Sequence, residues 1–175
     1  VGVSNMGPKR LEWFQKRFQR RGFSIKSLQL QFSLLSPAVH KFSKTKELCK
    51  RLNIEILAYS PLALGLLSIP PGIMNISERT FLRSQVFRNL LPASRDLREE
   101  LHRIAQNRRV SQAQVALNWC RANDVTPLVG IRSPKQAIDV AAALRWTMSL
   151  QEKQKLDYLS AQCTIRMPNN PFQSN

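Results

Sequence analysis

Four short apolar runs alternate along the chain with longer segments whose apolar residues recur at helical spacing. Near-continuous apolar runs are typical of parallel strands covered by helices, because such strands are buried on both faces. This alternation predicts parallel strands joined by right-handed helical crossovers, and therefore an α/β protein. The predicted strands are Val1–Val3, Leu28–Phe32, Ile54–Ala58 and Thr126–Val129.

The third predicted strand marks the place where chemistry is expected. Glu55 is its one polar residue, which predicts burial on both faces. Tyr59 and Ser60 follow at its carboxyl end, and the chain then turns through Gly65. Ligands of α/β proteins bind at the carboxyl ends of the strands. The segment from Ile54 to Leu67 therefore carries the first candidate site.

Serine residues at helix-start positions predict three of the helices. Each is followed three residues later by Gln or Glu, which is the spacing of a capping box. A long irregular segment is predicted between the third strand and Asp96, containing Pro70, Pro71, Gly72 and Asn75, and the tail Cys163–Asn175 is predicted to be irregular and on the surface. The predicted helices begin at Pro8, span Ala38–Leu52 and Asp96–Asn107, and follow Ser111, Ser133 (through Leu144) and Ser149 (through Leu159).

The chain is strongly basic. Lys and Arg number 27 and Asp and Glu 11 among 175 residues, so the formal net charge is +16. Such a field attracts phosphates, acidic proteins or anionic surfaces, whereas solvated helix faces are the plainer interpretation. A nucleic-acid partner is not expected, because no binding module is visible and the aromatic residues are not interleaved with the basic ones. An acidic protein or a large complex remains the expected class of partner.

The cysteines indicate a reducing compartment. Cys49, Cys120 and Cys163 are odd in number and far apart, and no Cys or His pair has the spacing of a metal site. We expect them to pack, and we expect no metal. The apolar stretch from Leu57 to Ile69 is interrupted by Ser, Pro and Gly and is too short to cross a bilayer, so the chain is not expected to span a membrane.

Five motifs occur in order over nearly the whole chain. They are Val1-Gly2-Val3-Ser4-Asn5, Gln29-Leu30-Gln31-Phe32-Ser33-Leu34-Leu35, Ala58-Tyr59-Ser60-Pro61-Leu62, Gln114-Val115-Ala116-Leu117-Asn118-Trp119 and Gly130-Ile131-Arg132-Ser133-Pro134-Lys135-Gln136-Ala137. Together they resemble the aldo-keto reductase family, in particular its plant and cyanobacterial chloroplast-type branch. The C-terminal Asn170-Pro171-Phe172-Gln173 is similar to the tail of that branch.

The resemblance implies the fold and the extent of the chain. The family fold is a TIM (β/α)8 barrel, and the five motifs belong to its strands five to eight. Residues 1–162 are thus expected to form the C-terminal half of the barrel, with about four parallel strands, alternating helices and additional C-terminal helices. Residues 163–175 would form an irregular tail. Because the chain starts at Val1 within a predicted strand, we expect a fragment, a processed product or a missing upstream part, located in the plastid or the cytosol.

The resemblance also implies NADPH as the cofactor, and the family's roles carry over to ten positions. By resemblance, Ser4, Asn5 and Gln29 would bind the nicotinamide carboxamide, and Tyr59 would stack on the nicotinamide ring. Ser60, Leu62 and Gly65 would lie along the pyrophosphate. Arg132 and Gln136 would contact the adenosine 2′-phosphate, and Asp139 would contact the adenine.

These residue types suit the tasks that the resemblance gives them. Amide side chains offer paired donors and acceptors to a carboxamide, and an aromatic plane suits a ring. A helix that begins at Ser133 beside Arg132 suits a phosphate. Taken singly, Tyr59 fits a core or rim position equally well, and Arg132 fits an ordinary surface position. Gln29 differs, because an amide in an apolar strand needs partners.

Four positions depart from the family pattern. Ala63 replaces a Gly of the pyrophosphate loop, and Val140 replaces an Asn near the adenine. Leu28 replaces the Asn that commonly precedes the nicotinamide-binding Gln, and the chain after Leu67 lacks the usual Thr-Gly-Lys continuation. These departures weaken the expectation of tight cofactor binding.

No catalytic residue is expected in this chain, because the family's Tyr, Lys, Asp and His are implied to lie before Val1. His40 and His102 are expected to be solvated. The chain is then either the NADPH-binding half of a carbonyl-reducing enzyme or a truncated, non-enzymatic structural subunit of a larger complex, with the plastid as its candidate location. In both cases the open barrel edges and an apolar inner face are expected to be covered by the missing N-terminal half, another copy or another protein.

Overall fold

The computed structural model describes residues 1–36, 42–72 and 81–168, and within these ranges the side chains of residues 81–83 are excepted. The four strands are β1 (Gly2–Ser4), β2 (Ser27–Gln31), β3 (Glu55–Tyr59) and β4 (Thr126–Pro127). The helices are α1 (Pro8–Gln19), α2 (Phe42–Leu52), α3 (Phe81–Ala93), α4 (Arg95–Arg108), α5 (Gln112–Arg121), α6 (Pro134–Ala142) and α7 (Leu150–Gln162). Short 3-10 segments cover Ala63–Ser68 and Ala143–Arg145.

The strands form one parallel sheet in the order β1-β2-β3-β4, as the sequence predicts. Ser4 pairs with Gln29, Gln29 with Leu57, and Gln31 with Tyr59. The observed strands differ from the predicted ones by about a residue at each end, and β4 is reduced to two residues. Both outer strands of the sheet are thus short, which limits the unpaired backbone that an edge exposes.

The two faces of this sheet differ in burial. Because side chains alternate along a strand, Leu28, Ile56 and Ala58 share one face, and all three are buried beneath helices. Leu57 and Tyr59 lie on the opposite face and are only half-buried. The prediction that β3 is buried on both faces was therefore wrong. The uncovered face is also not apolar, since Ser4, Gln29 and Gln31 lie on it next to Leu57 and Tyr59.

The core lies between the sheet and the helices. Nine of the ten residues of α5 are buried, which makes it the central helix of this layer. The ring of Trp119 stacks on Phe32 with centroids 5.0 Å apart, and Phe32 in turn contacts Phe42 at 4.2 Å. The Trp119 indole nitrogen donates to Asp157 at 2.7 Å. One aromatic stack thereby joins the end of β2, the start of α2, α5 and α7.

The helix α3 contradicts a sequence prediction. Irregular structure was predicted over this part of the chain, yet residues 81–93 are helical. Phe87, Leu90 and Leu91 recur at helical spacing and are buried. Pro92 concealed the pattern, because a proline lacks the N–H that would bond to the carbonyl four residues earlier, yet the helix continues through it to Ala93. The predicted helical residues 38–41, with His40, and Asn75 lie outside the described residues.

The C-terminal tail also differs from the prediction where it is described. Cys163 and Met167 are buried rather than exposed on the surface. The Met167 amide donates to the Leu35 carbonyl at 2.8 Å, and the Arg166 guanidinium donates to the Leu34 carbonyl at 3.2 Å. Residues 163–168 therefore pack against the turn that follows β2. The motif Asn170–Gln173 lies outside the described residues.

Candidate functional site

The side chains at the carboxyl ends of β1 and β3 are joined to each other. The Tyr59 hydroxyl donates a hydrogen bond to Asn5 Oδ1 at 2.9 Å. Asn5 has a left-handed backbone (φ 56°), and its amide donates to the Gln29 carbonyl at 2.8 Å. Ser4 precedes Asn5 and pairs with Gln29 in the sheet. The four residues that the sequence assigned to the nicotinamide end thus form one cluster.

Gln31 belongs to the same face and was missed by the sequence interpretation. It pairs with Tyr59 in the sheet register, two residues after Gln29. Its side-chain Oε1 is buried and accepts no hydrogen bond from the described residues. The signal was present in the sequence, because residues two apart on a strand point to the same face. Two amide side chains of β2 therefore accompany Tyr59.

The loop after Tyr59 has an unusual backbone. Ser60, Ala63 and Leu64 have φ angles of 53°, 48° and 59°, and Gly65 has a φ of 94°. For residues other than Gly the left-handed conformation costs roughly 1–2 kcal/mol. Local hydrogen bonds hold the loop: the Gly65 amide donates to the Leu62 carbonyl at 2.9 Å, and the Ser68 hydroxyl donates to the Gly65 carbonyl at 2.7 Å. Ala63 is strained where the resemblance implies Gly.

A groove of about 510 Å³ lies between this loop and the start of α6. Its lining brings together residues that are far apart in the chain. Six of the ten predicted site residues line it: Ser60, Leu62, Gly65, Arg132, Gln136 and Asp139. The remaining four form the cluster around Tyr59, at the neighbouring strand ends.

The start of α6 forms the cationic side of the groove. Ser133 is the N-cap, and its hydroxyl accepts from the Gln136 amide at 3.3 Å, as predicted. The other half of the predicted capping box differs, because the Gln136 side chain accepts from the Arg132 amide at 2.8 Å. Arg132 is exposed beside the N-terminus of α6, the positive end of the helix dipole. This is the arrangement that favours a phosphate group.

Asp139 forms the far wall of the groove and has two protein partners. Its Oδ2 accepts from the Ser111 hydroxyl at 2.8 Å, and its Oδ1 accepts from Gln114 Nε2 at 2.7 Å. Gln114 Oε1 in turn accepts from the Trp146 indole at 3.2 Å. Ser111 caps α5 as predicted, but the Gln114 side chain does not complete the capping box. The network could have been inferred from Gln114, because a buried amide side chain needs hydrogen-bond partners for both its oxygen and its nitrogen.

The ion pair of Arg108 and Glu152 packs against the ring of Trp146. The Arg108 guanidinium donates to both carboxylate oxygens of Glu152 at 2.7 Å and lies 4.7 Å from the centre of the Trp146 ring. These hydrogen bonds lower the pKa of Glu152 to about 2. Glu152 also completes a capping box with Ser149, as predicted. The ion pair thus links α4 and α7 to the network that ends at Asp139.

The other reactive side chains lie apart from the groove. Burial raises the pKa of the Cys49 thiol to about 11 and also raises the pKa of Cys120, which leaves both thiols inert. His102 lies on α4 and is half-buried rather than fully solvated. Over residues 1–36, 42–72 and 81–168, no three His, Cys, Asp or Glu side chains come close enough to hold a metal ion. In the same ranges no helix has the length and apolar composition needed to cross a bilayer.

Comparison with known proteins agrees with the motifs. The chain is 37% identical over 175 residues to the chloroplastic pyridoxal reductase of Arabidopsis thaliana, covering 99% of this chain and 47% of that protein. It is 23% identical over 159 residues to the aldo-keto reductase AFTS1 of Alternaria alternata, covering 90% of this chain and 43% of that protein. The chain therefore spans about half the length of these relatives.

The fold comparison gives the same extent. The crystal structure of a thermostable aldo-keto reductase in complex with the inhibitor epalrestat superposes with a TM-score of 0.66 at 21% identity. The match covers 91% of this chain and 47% of that protein, so the described fold corresponds to about half of an aldo-keto reductase TIM barrel. The sequence pattern of the Aldo/keto reductase family matches residues 1–161 of this chain. The chain therefore belongs to the aldo/keto reductase family.

Proposed function

We propose that this chain is the NADPH-binding half of an oxidoreductase that reduces carbonyl compounds. The observation that carries the proposal is the groove in which the loop containing Gly65 faces Arg132 and the start of α6. The cluster of Asn5 and Tyr59 lies at the neighbouring strand ends. A site suited to phosphate groups and a site with an aromatic ring and amide side chains would thus lie next to each other along the carboxyl edge of the sheet. Aldo/keto reductases generally bind NADP(H), and a dinucleotide needs both sites.

The groove residues fit the chemical parts of this cofactor. Arg132 and the α6 N-terminus would hold the 2′-phosphate, with Gln136 beside them. Ser60, Leu62 and Gly65 would follow the pyrophosphate with backbone and hydroxyl groups. Gly130 also lines the groove, and a Cβ built on it would meet no atom within 4 Å, so the space beside its backbone is open. Asp139 would approach the adenine with the acceptor capacity that Ser111 and Gln114 leave.

The nicotinamide end would be held by the cluster at the strand ends. Ser4, Asn5 and Gln29 would bind the carboxamide, and Tyr59 would lie against the ring. When bound, NADPH supplies the hydride that reduces a carbonyl carbon. The proton for the carbonyl oxygen would come from a Tyr, assisted by Lys, Asp and His, of a segment that precedes Val1. This chain would therefore bind and orient the cofactor but not protonate the substrate.

Substrate and location are proposed from a relative. Since pyridoxal reductase is the name of a protein 37% identical to this chain, pyridoxal is the first carbonyl compound to test. The same relative is described as chloroplastic, so we propose the plastid as the location. Imaging a fluorescent fusion of the complete reading frame would test the location, and a purely cytosolic signal would contradict it.

A non-enzymatic subunit is the second candidate function. Ala63 favours it, because its left-handed backbone is strained where the resemblance implies Gly, in the loop proposed to carry the pyrophosphate. Val140, which lines the groove where the resemblance implies Asn, adds to this. In this alternative the chain would pack as a structural part of a larger complex, and NADPH would not bind.

Titration of the purified chain with NADPH, followed by nucleotide fluorescence, separates the two candidates. The enzyme-half proposal expects saturable binding in the micromolar range, weakened about tenfold or more by Arg132→Gln, which removes a charge-assisted phosphate contact. NADH lacks the 2′-phosphate, so its binding should not change with this substitution. Arg145→Gln, at an exposed position outside the groove, is the matched control. Absence of binding by the folded chain up to millimolar NADPH would contradict the proposal.

A further inference from the structure

The outward side of α1 is a continuous cationic surface. At 100° per residue, its members fall within about 120° around the helix axis, on the side opposite Leu11. All of them are exposed, whereas Leu11 is fully buried. We call this surface the basic face, and its members are Lys9, Arg10, Trp13, Lys16, Arg17 and Arg20.

The positive charge of the basic face is not neutralised by its surroundings. Glu12 is the one acidic residue of α1, and it lies on the flank, where it pairs with Arg51 of α2 at 3.2 Å. Within residues 1–36, 42–72 and 81–168, none of the five cationic residues of the face forms an ion pair. Arg21 follows immediately and extends the charge beyond the helix end.

An exposed aromatic residue, Trp13, lies among these charges, so on α1 aromatic and basic residues are interleaved, contrary to the sequence interpretation. Trp13 is 53% exposed, with the Arg17 guanidinium 5.2 Å from its ring centre. Phe14 contacts the Trp13 ring edge-on at 4.8 Å and so orients it. A large aromatic side chain in water next to like charges is not explained by core packing. An exposed aromatic ring among cationic side chains on one helix face suits a partner that offers both negative charge and an apolar medium.

A second exposed aromatic residue follows the helix. Phe23 is 59% exposed, in the turn that contains Gly22 with its φ of 78°. The turn is fixed, because the Phe23 amide donates to the Phe18 carbonyl at 3.0 Å and the buried Gln15 side chain accepts from the Ile25 amide at 2.9 Å. Phe23 is therefore held in an exposed position just beyond the C-terminal end of α1.

The basic face remains on the outside in a complete barrel as well. The helices of a TIM barrel form an outer ring around the strands. Leu11 belongs to the same buried core cluster as Leu28 and Ile56 of the sheet, so the opposite side of α1 points away from the core. The face lies on the outside of the layer, whereas the candidate cofactor groove lies at the strand ends. The two surfaces can therefore be tested independently.

We propose that the basic face binds the surface of an anionic phospholipid membrane. The cationic side chains would meet the head groups, and Trp13 and Phe23 would enter the boundary between head groups and acyl chains. Clusters of four to eight Lys and Arg on a helix are suited to anionic lipids. The proposal concerns peripheral binding, goes beyond cofactor binding and does not depend on it.

The shape of the face favours a membrane over an acidic protein or a nucleic acid. The recess on it is a shallow, open one, beside Lys9, Arg10, Trp13 and Phe14. A specific protein interface requires buried, well-packed anchor pockets. A single-stranded nucleic acid would call for a groove that tracks the backbone and for successive stacking rings. A fluid lipid surface needs neither, because it adapts to a convex helix.

Co-sedimentation with lipid vesicles tests the proposal on the purified chain. Vesicles of phosphatidylcholine alone would be compared with vesicles that contain about 30% phosphatidylglycerol, a load that gives a negative surface potential. The chain should bind the anionic vesicles and not the neutral ones. Lys16→Gln/Arg20→Gln should weaken binding about tenfold or more. Lys44→Gln/Arg145→Gln removes the same charge at exposed positions on other helices and should change binding much less.

The aromatic part of the proposal has its own matched pair. Trp13→Ala should weaken vesicle binding about threefold or more, since an interfacial anchor is lost. Tyr158→Ala is the control, because Tyr158 is 59% exposed, close to the value for Trp13, and has a cation, Lys155, 5.7 Å from its ring. Brominated lipids should quench the fluorescence of the wild-type chain and quench Trp13→Ala less.

Several results would overturn the proposal. Binding of the folded chain to neutral vesicles as strongly as to anionic ones would remove the charge argument. Equal losses of vesicle binding in the two Gln double variants would show that binding depends on the net charge of the chain and not on the basic face. Tighter binding to a polyglutamate peptide or to single-stranded DNA than to anionic vesicles, with the same dependence on Lys16 and Arg20, would assign the face to that partner instead.

Discussion

The Tyr59 hydroxyl donates a hydrogen bond of 2.9 Å to the Asn5 side chain across 54 residues of sequence. It joins the end of β3 to the turn after β1, with β2 lying between them in the sheet. Asn5 has a left-handed backbone, a conformation that Asn tolerates better than most residues. The position of the aromatic ring is thus set by a residue that the sequence assigned to the same end of the cofactor.

This relationship separates two roles of Tyr59. Tyr59→Phe removes the hydrogen bond but keeps the ring, so the free energy of unfolding should fall by about 1 kcal/mol. NADPH affinity should stay within about threefold, because the aromatic plane remains. Tyr59→Ala should lower the affinity about tenfold or more. Urea unfolding and NADPH titration measure the two effects, and equal affinities for the Phe and Ala variants would rule out the ring-stacking role.

The backbone of the groove gives a second prediction. Gly65 has a φ of 94°, and a Cβ built on it would come no closer than 3.9 Å, to the Ser68 hydroxyl. The cost of Gly65→Ala is therefore conformational, about 1–2 kcal/mol of unfolding free energy. Gly130→Ala is the comparison, since a Cβ there meets no atom within 4 Å and the stability should change by less than about 0.5 kcal/mol.

The same pair of variants also reports on the groove. If the cofactor approaches the backbone closely, Gly130→Ala should weaken NADPH binding about threefold or more without loss of stability. Unfolding in urea and nucleotide titration of both variants provide the measurements. A Gly65→Ala variant as stable as the wild type would show that the loop adopts another conformation in solution.

The sequence predicted the order of the elements well, because each depends on local signals. Ser111, Ser133 and Ser149 were predicted to start helices, because a serine side chain can accept a hydrogen bond from the backbone amide three residues later. All three cap their helices in this way. The strands were recognised because β-branched and other apolar residues cluster in short runs between helices. The family motifs then extended this order to a half barrel, which the fold comparison confirms.

The misses share a physical cause: they depend on contacts between distant segments. The burial of Met167 follows from packing against the turn at Leu35, which no local pattern shows. The side chain of Gln114 binds Asp139 and Trp146 instead of closing its own cap, because those partners lie within reach only in the folded chain. Gln31 was overlooked because its role depends on the neighbouring Tyr59.

The ion pair of Arg108 and Glu152 predicts a pH dependence of stability. The folded chain holds the pKa of Glu152 near 2, below its ordinary value of 4.5. A carboxyl group whose pKa is lower in the folded state stabilises that state at pH values above its pKa in the unfolded chain. This contribution is lost as the pH falls from about 4.5 towards 2. Because the Arg108 side chain is 31% exposed, we expect about 2 kcal/mol rather than the full shift.

Glu152→Gln tests this contribution with little other disturbance. The Gln oxygen can still accept from the Ser149 amide, so the capping box is kept while the charge is lost. The difference in unfolding free energy from the wild type should be about 2 kcal/mol at pH 7 and should shrink between pH 4.5 and the lowest pH at which the chain stays folded. Glu99→Gln, which breaks an exposed pair with Arg95, should cost less than about 0.5 kcal/mol. A difference independent of pH would contradict the role of the ion pair.

Asp139 allows the structural and the cofactor-binding roles of the groove wall to be distinguished. Asp139→Ala leaves the Gln114 Nε2 group, which belongs to a residue only 5% exposed, without its acceptor, so unfolding free energy should fall by about 1–3 kcal/mol. Asp139→Asn can still accept from Gln114 with its oxygen and donate to the Ser111 hydroxyl with its amide, so the loss should stay below about 1 kcal/mol. If Asp139 also contacts the adenine, both variants should weaken NADPH binding, whereas a purely structural residue would leave the affinity of Asp139→Asn unchanged. Unfolding in urea and titration with NADPH on the two variants decide between these roles. An Ala variant as stable as the wild type would show that the hydrogen bonds of Asp139 to Ser111 and Gln114 do not support the groove wall.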